Sequence, residues 1–173
     1  MAGTAKNIVQ RSKRVAFMST SEAEDSPKFE RMTNFTTMTS SKNPKEYSRQ
    51  YVDEDAERSD VVGYAPSIEF SYDRHTNTPV HEKLSKIHDK ELLGNEAHVE
   101  IISVDLFAEA SADKYPAIKR TYAVIPDTDG DGTDALIYSG TFKSVSELEE
   151  GFATSADGWK TATYEKSLNK GGT

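Results

Sequence analysis

The sequence predicts a mainly β protein, an antiparallel β-sandwich or barrel with one flanking α-helix over about residues 79–93. Three observations favour this class. Short segments with alternating apolar residues and many β-branched or aromatic side chains recur along the chain. Clusters of Gly, Pro, Asn and Asp, which are typical of turns, separate these segments. One proline-started segment instead has apolar residues at helical spacing.

The chain is predicted to form a single domain over residues 1–173, because this length suffices for one core of ordinary size. Both ends are polar and lack the apolar residues that would order them. Flexible arms are therefore predicted at about residues 1–13 and 166–173.

The first two predicted strands differ in their patterning. Arg14–Ser19 alternates and places Val15 and Phe17 on one face. Lys28–Ser40 is rich in Thr, which favours strands, but its apolar residues fall every three positions. We interpret it as a strand with an irregularity, although that spacing by itself also fits a helix.

The next two strands are predicted to pair as a hairpin. Glu46–Val52 carries two tyrosines on one face, and Val61–Tyr72 alternates near its end. Pro66 cannot donate a hydrogen bond to a sheet, so we expect an edge or a bulge there. Asp53–Ser59 would form the projecting tip.

The helix has start and stop signals. Thr78 suits the N-cap and Pro79 suits the first helical position. Gly94 is placed where a glycine commonly follows a helix. Apolar side chains at helical spacing give the segment one buried face. These apolar positions are Val80, Leu84 and Ile87, with Leu92 nearby.

Five further strands are predicted after the helix, from their composition and the turn residues between them. The last two are expected to pair with each other. The five span His98–Ala108, Ile118–Ile125, Ala135–Lys143, Gly151–Ala153 and Trp159–Glu165.

Composition excludes several classes of function. Lys and Arg number 21 against 29 Asp and Glu, which gives a net charge of −8 and disfavours binding to phosphate backbones. The absence of cysteine excludes disulfides, thiolate catalysis and Cys-based zinc sites. No apolar run approaches the length of a membrane span, and no apolar segment follows the basic residues near the N-terminus. We therefore expect a soluble protein that is made and used without export.

One acidic segment matches the first half of a calcium-binding loop. Asp127, Asp129, Asp131 and Gly132 follow the pattern D-x-D-x-D-G, in which carboxylates supply hard oxygen ligands. The twelfth position is Tyr138, where such a loop needs a bidentate Glu. We interpret the segment as a solvated hairpin loop between two strands, because Asp-Gly is typical turn chemistry.

Two histidines of the predicted helix are candidate metal ligands. His81 and His88 lie seven residues apart and share a helix face, and further ligands would have to come from His75, Asp89 or other nearby acids. We interpret both histidines as solvated. No catalytic, cofactor-binding or metal-binding residue is predicted, since the sequence holds no nucleophile-elbow, P-loop or dinucleotide-binding motif. We expect neither an enzyme nor a cofactor.

Several long segments of mixed composition carry a family resemblance. They read MTSSKNPKEY over residues 38–47, RQYVDE over 49–54, DVVGYAPSI over 60–68, YAVIP over 122–126 and TSADGWKTAT over 154–163. From about Phe29 to about Thr163 the chain resembles the tail tube proteins, or major tail proteins, of long-tailed bacteriophages, especially those of Gram-positive hosts.

The resemblance implies a β-sandwich with one flanking helix. It also implies a structural virion protein whose copies form hexameric rings that stack into a tail tube, the conduit for DNA ejection. The implied partners are other copies of the chain and the tape-measure, terminator and baseplate or distal tail proteins. DNA would pass through the lumen without specific binding, and no membrane would be involved. The protein would be assembled in the cytoplasm of the bacterial host and located in the virion tail.

Two other functions remain open at this point. The same type of subunit builds the inner tube of contractile tails, R-type bacteriocins and type VI secretion systems. A free-standing carbohydrate- or calcium-binding β-sandwich module is a different class, favoured by the segment 127–132 and by strands that carry Tyr64, Phe70 and Tyr72.

The hairpin tip is the predicted assembly interface. Its four carboxylates and one guanidinium sum to −3, which is too polar for a core. The resemblance implies that a long hairpin reaches a neighbouring ring, so we expect the tip to contact another subunit. The predicted interface residues are Asp53, Glu54, Asp55, Glu57 and Arg58.

Overall fold

The computed structural model describes residues 5–20, 28–130 and 132–167. Within these ranges the chain is mainly β, with antiparallel strands and one α-helix, so the predicted fold class is confirmed. The chain divides into two compact units. The first comprises residues 1–33, 99–121 and 147–173, and the second comprises residues 34–98 and 122–146.

The strands and the helix follow the predicted order. Strand β8 is long, and it contributes residues 115–121 to the first unit and 122–129 to the second. The elements are β1 Arg14–Ser19, β2 Phe29–Arg31, β3 Phe35–Ser41, β4 Pro44–Arg49, β5 Arg58–Tyr64, β6 Ser67–Asp73, α1 Pro79–Asp89, β7 His98–Asp105, β8 Tyr115–Asp129, β9 Ile137–Ser144, β10 Glu149–Thr154 and β11 Thr161–Lys166. Short 3₁₀ turns cover Arg11–Lys13 and Gly94–Ala97.

The first unit is a closed antiparallel barrel. Its strands are hydrogen-bonded in the order β10-β11-β2-β1-β7-β8, and β10 also pairs with the first half of β8. This last pairing closes the ring, so each described strand of the unit has a neighbour on both sides. Closure removes the unpaired edges that would otherwise invite association.

The barrel interior is filled by alternating apolar residues of its strands. Val15 and Phe17 lie on one face of β1 as predicted, and both are buried. The Trp159 ring lies 6.1 Å from that of Phe17 and 5.3 Å from that of Tyr115, so the β10–β11 loop also packs on the core. The buried cluster consists of Val15, Phe17, Phe29, Ile102, Val104, Ala117, Ala153 and Ala162.

The loop between β10 and β11 is ordered by the Asp157 carboxylate. Oδ1 accepts hydrogen bonds from the backbone N–H groups of Lys160 and Thr161 at 3.1 and 3.0 Å. Oδ2 accepts one from the Thr161 hydroxyl at 2.7 Å. These hydrogen bonds lower the pKa of Asp157 to about 2, and the bond from the Thr161 backbone N–H contributes most.

We expect this carboxylate to make folding stability depend on pH in the acid range. Because the folded state has the lower pKa, the ionised form contributes stability above the ordinary pKa of about 4. That contribution is lost as the pH falls from about 4 to about 2. Urea unfolding at pH 5, 4, 3 and 2 should show a steeper loss for the wild type than for Asp157→Asn. If the free energies of unfolding of the two proteins fall in parallel with pH, Asp157 is not the source of the acid-range dependence.

The second unit is an open sheet covered by α1. Its strands lie in the order β8-β9-β6-β3, and β3 forms the edge. Aromatic rings join sheet and helix: Tyr72 stacks on His81 at 4.5 Å and on Tyr138 at 5.5 Å. The Tyr72 hydroxyl lies 3.0 Å from Ser85 Oγ of α1, and burial raises the pKa of Tyr72 to about 12. The apolar helix positions Val80, Leu84 and Ile87 are buried as predicted.

The helix begins where the sequence predicts and ends earlier. Thr78 is the N-cap and Pro79 the first helical residue, although the Thr78 hydroxyl donates to the Thr76 carbonyl instead of capping the helix. The predicted end near residue 93 is wrong, because Glu91 adopts a left-handed φ of 52°. Its N–H bonds the His88 carbonyl and the Leu92 N–H bonds the Ile87 carbonyl. This is a Schellman motif in which Glu91 takes the position expected for glycine.

One further segment differs from the prediction. The segment Lys28–Ser40 is not one strand: β2 and β3 are separated at residues 32–34, where Asn34 has a φ of 61°. This irregularity is the point where the chain leaves the first unit for the second.

The predicted arms overlap the described residues in part. Residues 5–10 are exposed, and Arg11–Lys13 form a 3₁₀ turn. Lys166 is the last residue of β11 and pairs with Gly151. Residues 1–4 and 168–173 lie outside the described ranges.

Candidate assembly interface

The hairpin β4–β5 is a separate two-stranded sheet within the second unit. It is the outer part of a longer hairpin, because β3 and β6 pair up to Ser41 and Ser67 and the same register resumes at Pro44 and Tyr64. The outer part pairs with no other strand among the described residues. Two strands that extend alone beyond a larger sheet bury little apolar surface, so we expect this outer part to be covered by another molecule.

The break between the inner and outer parts has a local cause. Asn43 has a φ of 45°, and its side-chain amide donates to the Ala65 carbonyl at 3.0 Å. The Ala65 N–H in turn bonds the carbonyls of Lys42 and Asn43. Pro66 follows and has no N–H for the ladder. The edge or bulge predicted at Pro66 is therefore found as the point where Val61–Tyr72 splits into β5 and β6.

The hairpin exposes several large apolar side chains. Every residue of β4 is exposed, and in β5 all but Gly63 are exposed. Val62 and Tyr64 retain 64% and 62% of their accessible surface. Exposed apolar side chains that cluster on one element in this way mark an interaction site. The exposed large apolar residues on the hairpin are Tyr47, Tyr51, Val52, Val61, Val62 and Tyr64.

Strand register separates the hairpin into two different faces. Ser48 pairs with Ser59, and their hydroxyl oxygens lie 2.7 Å apart on the face that also carries Val61. The opposite face holds Lys45, Arg49 and Arg58 against one acid, Asp60. Tyr47 also lies on this face, and the Arg49 guanidinium is 5.4 Å from the centre of its ring. Glu46 pairs with Val61 on the first face, so both faces mix apolar and polar side chains. The second face, with its excess of basic residues, can attract a carboxylate-rich partner.

The tip covers residues 50–57 and is acidic. The Arg58 guanidinium contacts the Glu54 carboxylate, and Gln50 Nε2 donates to the Glu54 carbonyl at 3.2 Å. Asp53, Asp55 and Glu57 are exposed, and among the described residues no ion pair involves them. The tip thus has an ordered base and three carboxylates free to meet a partner.

The predicted hairpin is confirmed with shifted boundaries. Glu46–Val52 and Val61–Tyr72 were expected to pair, and the strands that pair are Pro44–Arg49 and Arg58–Tyr64. Arg58 and Ser59, predicted in the tip, begin β5. Sequence reasoning named the charged tip residues and missed the exposed valines beside them, which a count of apolar residues on both strand faces would have found.

An unpaired strand edge lies at the inner part of the hairpin. Strand β3 is the edge of the second unit's sheet, and it is mostly exposed. Its residues are Thr- and Ser-rich, which suits pairing with a further strand. An exposed edge offers unpaired N–H and C=O groups to another chain.

The histidines of α1 are not the solvated pair that the sequence predicts. His81 is fully buried, and its Nδ1 accepts a hydrogen bond from the His75 backbone N–H at 3.0 Å. His88 lies near the helix end, where its Nε2 is 3.1 Å from Asp129 Oδ1. The interpretation of His81 as solvated is therefore wrong, because the residue packs between aromatic rings of the sheet.

The acidic segment after residue 126 is also placed differently from the prediction. Asp127 and Asp129 belong to strand β8, and Asp129 pairs with Tyr138. The turn begins only at Gly130. Asp131 lies outside the described residues. Asp127 and Asp129 are thus in a strand, whereas Gly130 and Gly132 lie in the connection between β8 and β9. The expected hairpin loop is therefore present, and it begins later than predicted.

Comparison with known proteins finds similarity to solved structures and no match by sequence. No protein-family model matches the chain, and no curated protein matches it. A solved chain described as part of a cryo-EM structure of the anti-feeding prophage baseplate, 6-fold symmetrised, is similar with a TM-score of 0.48 and 8% sequence identity. The match covers 85% of this chain and 97% of that chain. Similarity of this degree identifies no function for the present chain. Within the described residues there is no helix with the length and apolar character that crossing a bilayer requires.

Proposed function

We propose that this chain is a tail tube subunit of a long-tailed bacteriophage, whose copies form hexameric rings that stack into a conduit for DNA. The family resemblance of the sequence supports this proposal. The role is structural, without catalysis or a cofactor. Other tail proteins would bind the ends of the tube, and the assembled protein would be part of the virion.

The hairpin β4–β5 is the observation that carries the proposal. It combines apolar side chains, a basic face and an acidic tip on one projecting element. A surface with both charge signs can bind a second copy of the same chain, because the acidic tip of one subunit complements basic residues of the next. Head-to-tail contacts of this kind close into rings or extend into filaments, as a stacked tube requires.

The open edge of the second unit supports the same arrangement. Strand β3 can pair with a strand of a neighbouring copy, which would continue the sheet from subunit to subunit. The described strands of the first unit close into a barrel and leave no such edge. Association is therefore expected to involve the second unit's sheet and hairpin.

Electron microscopy of the purified protein tests the proposal. Negative staining over a range of protein concentrations should show six-fold rings and tubes with a central channel. Size-exclusion chromatography should show an assembly that grows with concentration. A protein that stays monomeric, with calcium-dependent stability, would instead favour a free-standing binding module. Tubes that copurify with a sheath protein would indicate the inner tube of a contractile tail.

The assembled tube is expected not to bind duplex DNA. A conduit must let a polyanion slide, and each Lys or Arg that neutralises a phosphate adds affinity through counterion release. The net charge of −8 per chain allows a lumen in which acids outnumber bases. Fluorescence anisotropy of a labelled duplex with purified tubes should show no binding at about 0.15 M salt. Salt-sensitive binding by the tubes would overturn this expectation.

A further inference from the structure

Three metal-ligating side chains meet at the end of α1, outside the proposed assembly surface. His88 and Asp89 are the last two residues of the helix, and Asp129 is the last residue of β8. One ligand atom from each lies within 4.8 Å of the other two, and His88 Nε2 is 3.1 Å from Asp129 Oδ1. Ligands that share one ion at about 2.1 Å lie roughly 3–4 Å apart, so a small side-chain movement would bring all three onto one ion.

We propose that His88, Asp89 and Asp129 bind one divalent transition-metal ion of the zinc type. One imidazole nitrogen and two carboxylate oxygens suit Zn²⁺ and its neighbours, whereas Ca²⁺ takes six to eight oxygen ligands. The His88 side chain is 16% exposed and that of Asp129 50% exposed, so the imidazole faces a partly enclosed site that water can reach. Water would complete the coordination of the ion.

The surrounding residues hold the ligands in position before an ion arrives. Tyr138 lies opposite Asp129 in the β8–β9 ladder. Its hydroxyl is 3.1 Å from each oxygen of the Asp89 carboxylate, and its ring meets the His88 ring edge-on at 5.0 Å. The Gly130 N–H bonds the Ile137 carbonyl and fixes the turn that follows Asp129. A tyrosine that orients a ligating carboxylate is a typical outer-shell partner of a metal site.

The charge balance also favours a cation. Two carboxylates face a single imidazole, so a bound cation would offset their negative charge. A bound ion would join α1 to the β8–β9 hairpin, and both elements belong to the second unit. The competing interpretation is a plain hydrogen bond between His88 and Asp129, which needs no metal. The proposal does not depend on tail tube function, because it concerns ion binding by the subunit.

Calorimetry and thermal unfolding of EDTA-stripped protein test the site. Titration with ZnCl₂ should show one saturable site per chain. At 100 times the dissociation constant, zinc should raise the melting temperature by roughly 5–10 °C. Calcium at the same concentration should leave the melting temperature unchanged. The absence of saturable zinc binding would leave only the hydrogen bond and overturn the proposal.

Variants connect the binding to these residues. His88→Ala and Asp129→Asn should each weaken zinc binding at least about tenfold, and Tyr138→Phe should weaken it by a similar factor through Asp89. Asp127→Asn, an exposed acid two residues from Asp129, is the matched control and should bind like the wild type. Asn has nearly the same shape as Asp, and the side chain at position 129 is half exposed, so Asp129→Asn is expected to fold. It therefore still tests the site if His88→Ala unfolds the protein. Wild-type affinity in either ligand variant, or a calcium shift larger than that of zinc, would refute the assignment.

Discussion

Gly151→Ala is expected to destabilise the barrel by about 3 kcal/mol and to lower the melting temperature by roughly 6–12 °C. A Cβ atom at this position would lie 2.2 Å from the Glu165 carbonyl oxygen on the paired strand β11. It would also lie 2.7 Å from Tyr164 Cζ. Because a backbone atom is in the way, β11 would have to move, and the Tyr164 ring that packs on the core would move with it. Differential scanning calorimetry measures the effect.

Two other glycines serve as comparisons. Gly63→Ala is the matched control, because its nearest neighbour, Lys45 Cδ, would be 4.0 Å from the new Cβ. It should change stability by less than about 0.5 kcal/mol. Gly140→Ala should destabilise the second unit, since the new Cβ would lie 2.6 Å from the Ile125 carbonyl oxygen. If the Gly151→Ala protein melts at the same temperature as the Gly63→Ala protein, β11 can move away from the new Cβ atom with little loss of stability.

Local signals predicted the elements better than their ends. The alternation in Arg14–Ser19 and the Thr-Pro start of the helix depend on nearby residues, and both were located correctly. The helix end was misplaced because Glu91 adopts a conformation that sequence reasoning assigns to glycine. The strain at Glu91 is offset by the two hydrogen bonds of the Schellman motif, which depend on backbone geometry.

Long-range pairing was beyond the reach of the sequence. The closure of the barrel through β8 and β10 joins residues 115–119 to residues 149–153. No local pattern specifies that partnership, because apolar alternation shows which face is buried and not which strand lies beside it. The sequence therefore predicted a sandwich or a barrel without deciding between them, and the described first unit is a closed barrel.

The candidate sites also differ in whether local sequence or long-range contacts define them. The hairpin tip was named from a local charge run, and the structure places it at the end of an exposed hairpin. The group formed by His88, Asp89 and Asp129 could not be named in this way, because the helix and β8 lie 40 residues apart at the nearest ligands. Its two halves were considered as separate motifs, an acidic loop and a histidine pair, and each lacked ligands when taken alone.

Shortening the hairpin is expected to prevent tube assembly while the subunit stays folded. Arg49 and Arg58 are the last paired residues of β4 and β5, so residues 50–57 can be replaced by Asn-Gly, which favours a two-residue turn. The variant keeps the strands and removes the acidic tip together with exposed Tyr51 and Val52. Because every residue of 50–57 except Glu54 is exposed, the circular dichroism spectrum and melting temperature should match those of the wild type.

The effect on assembly follows from the contact free energy that the tip contributes. Each 1.4 kcal/mol lost per contact is a tenfold change in the association constant, so the concentration needed for tubes should rise at least about tenfold. Sedimentation and negative-stain microscopy measure that concentration. A second variant, Asp53→Asn with Asp55→Asn and Glu57→Gln, keeps the length of the tip and removes its unpaired charges. If it assembles normally while the shortened hairpin does not, apolar contact by Tyr51 and Val52 dominates. If both assemble as readily as the wild type, the tip has no part in the interface.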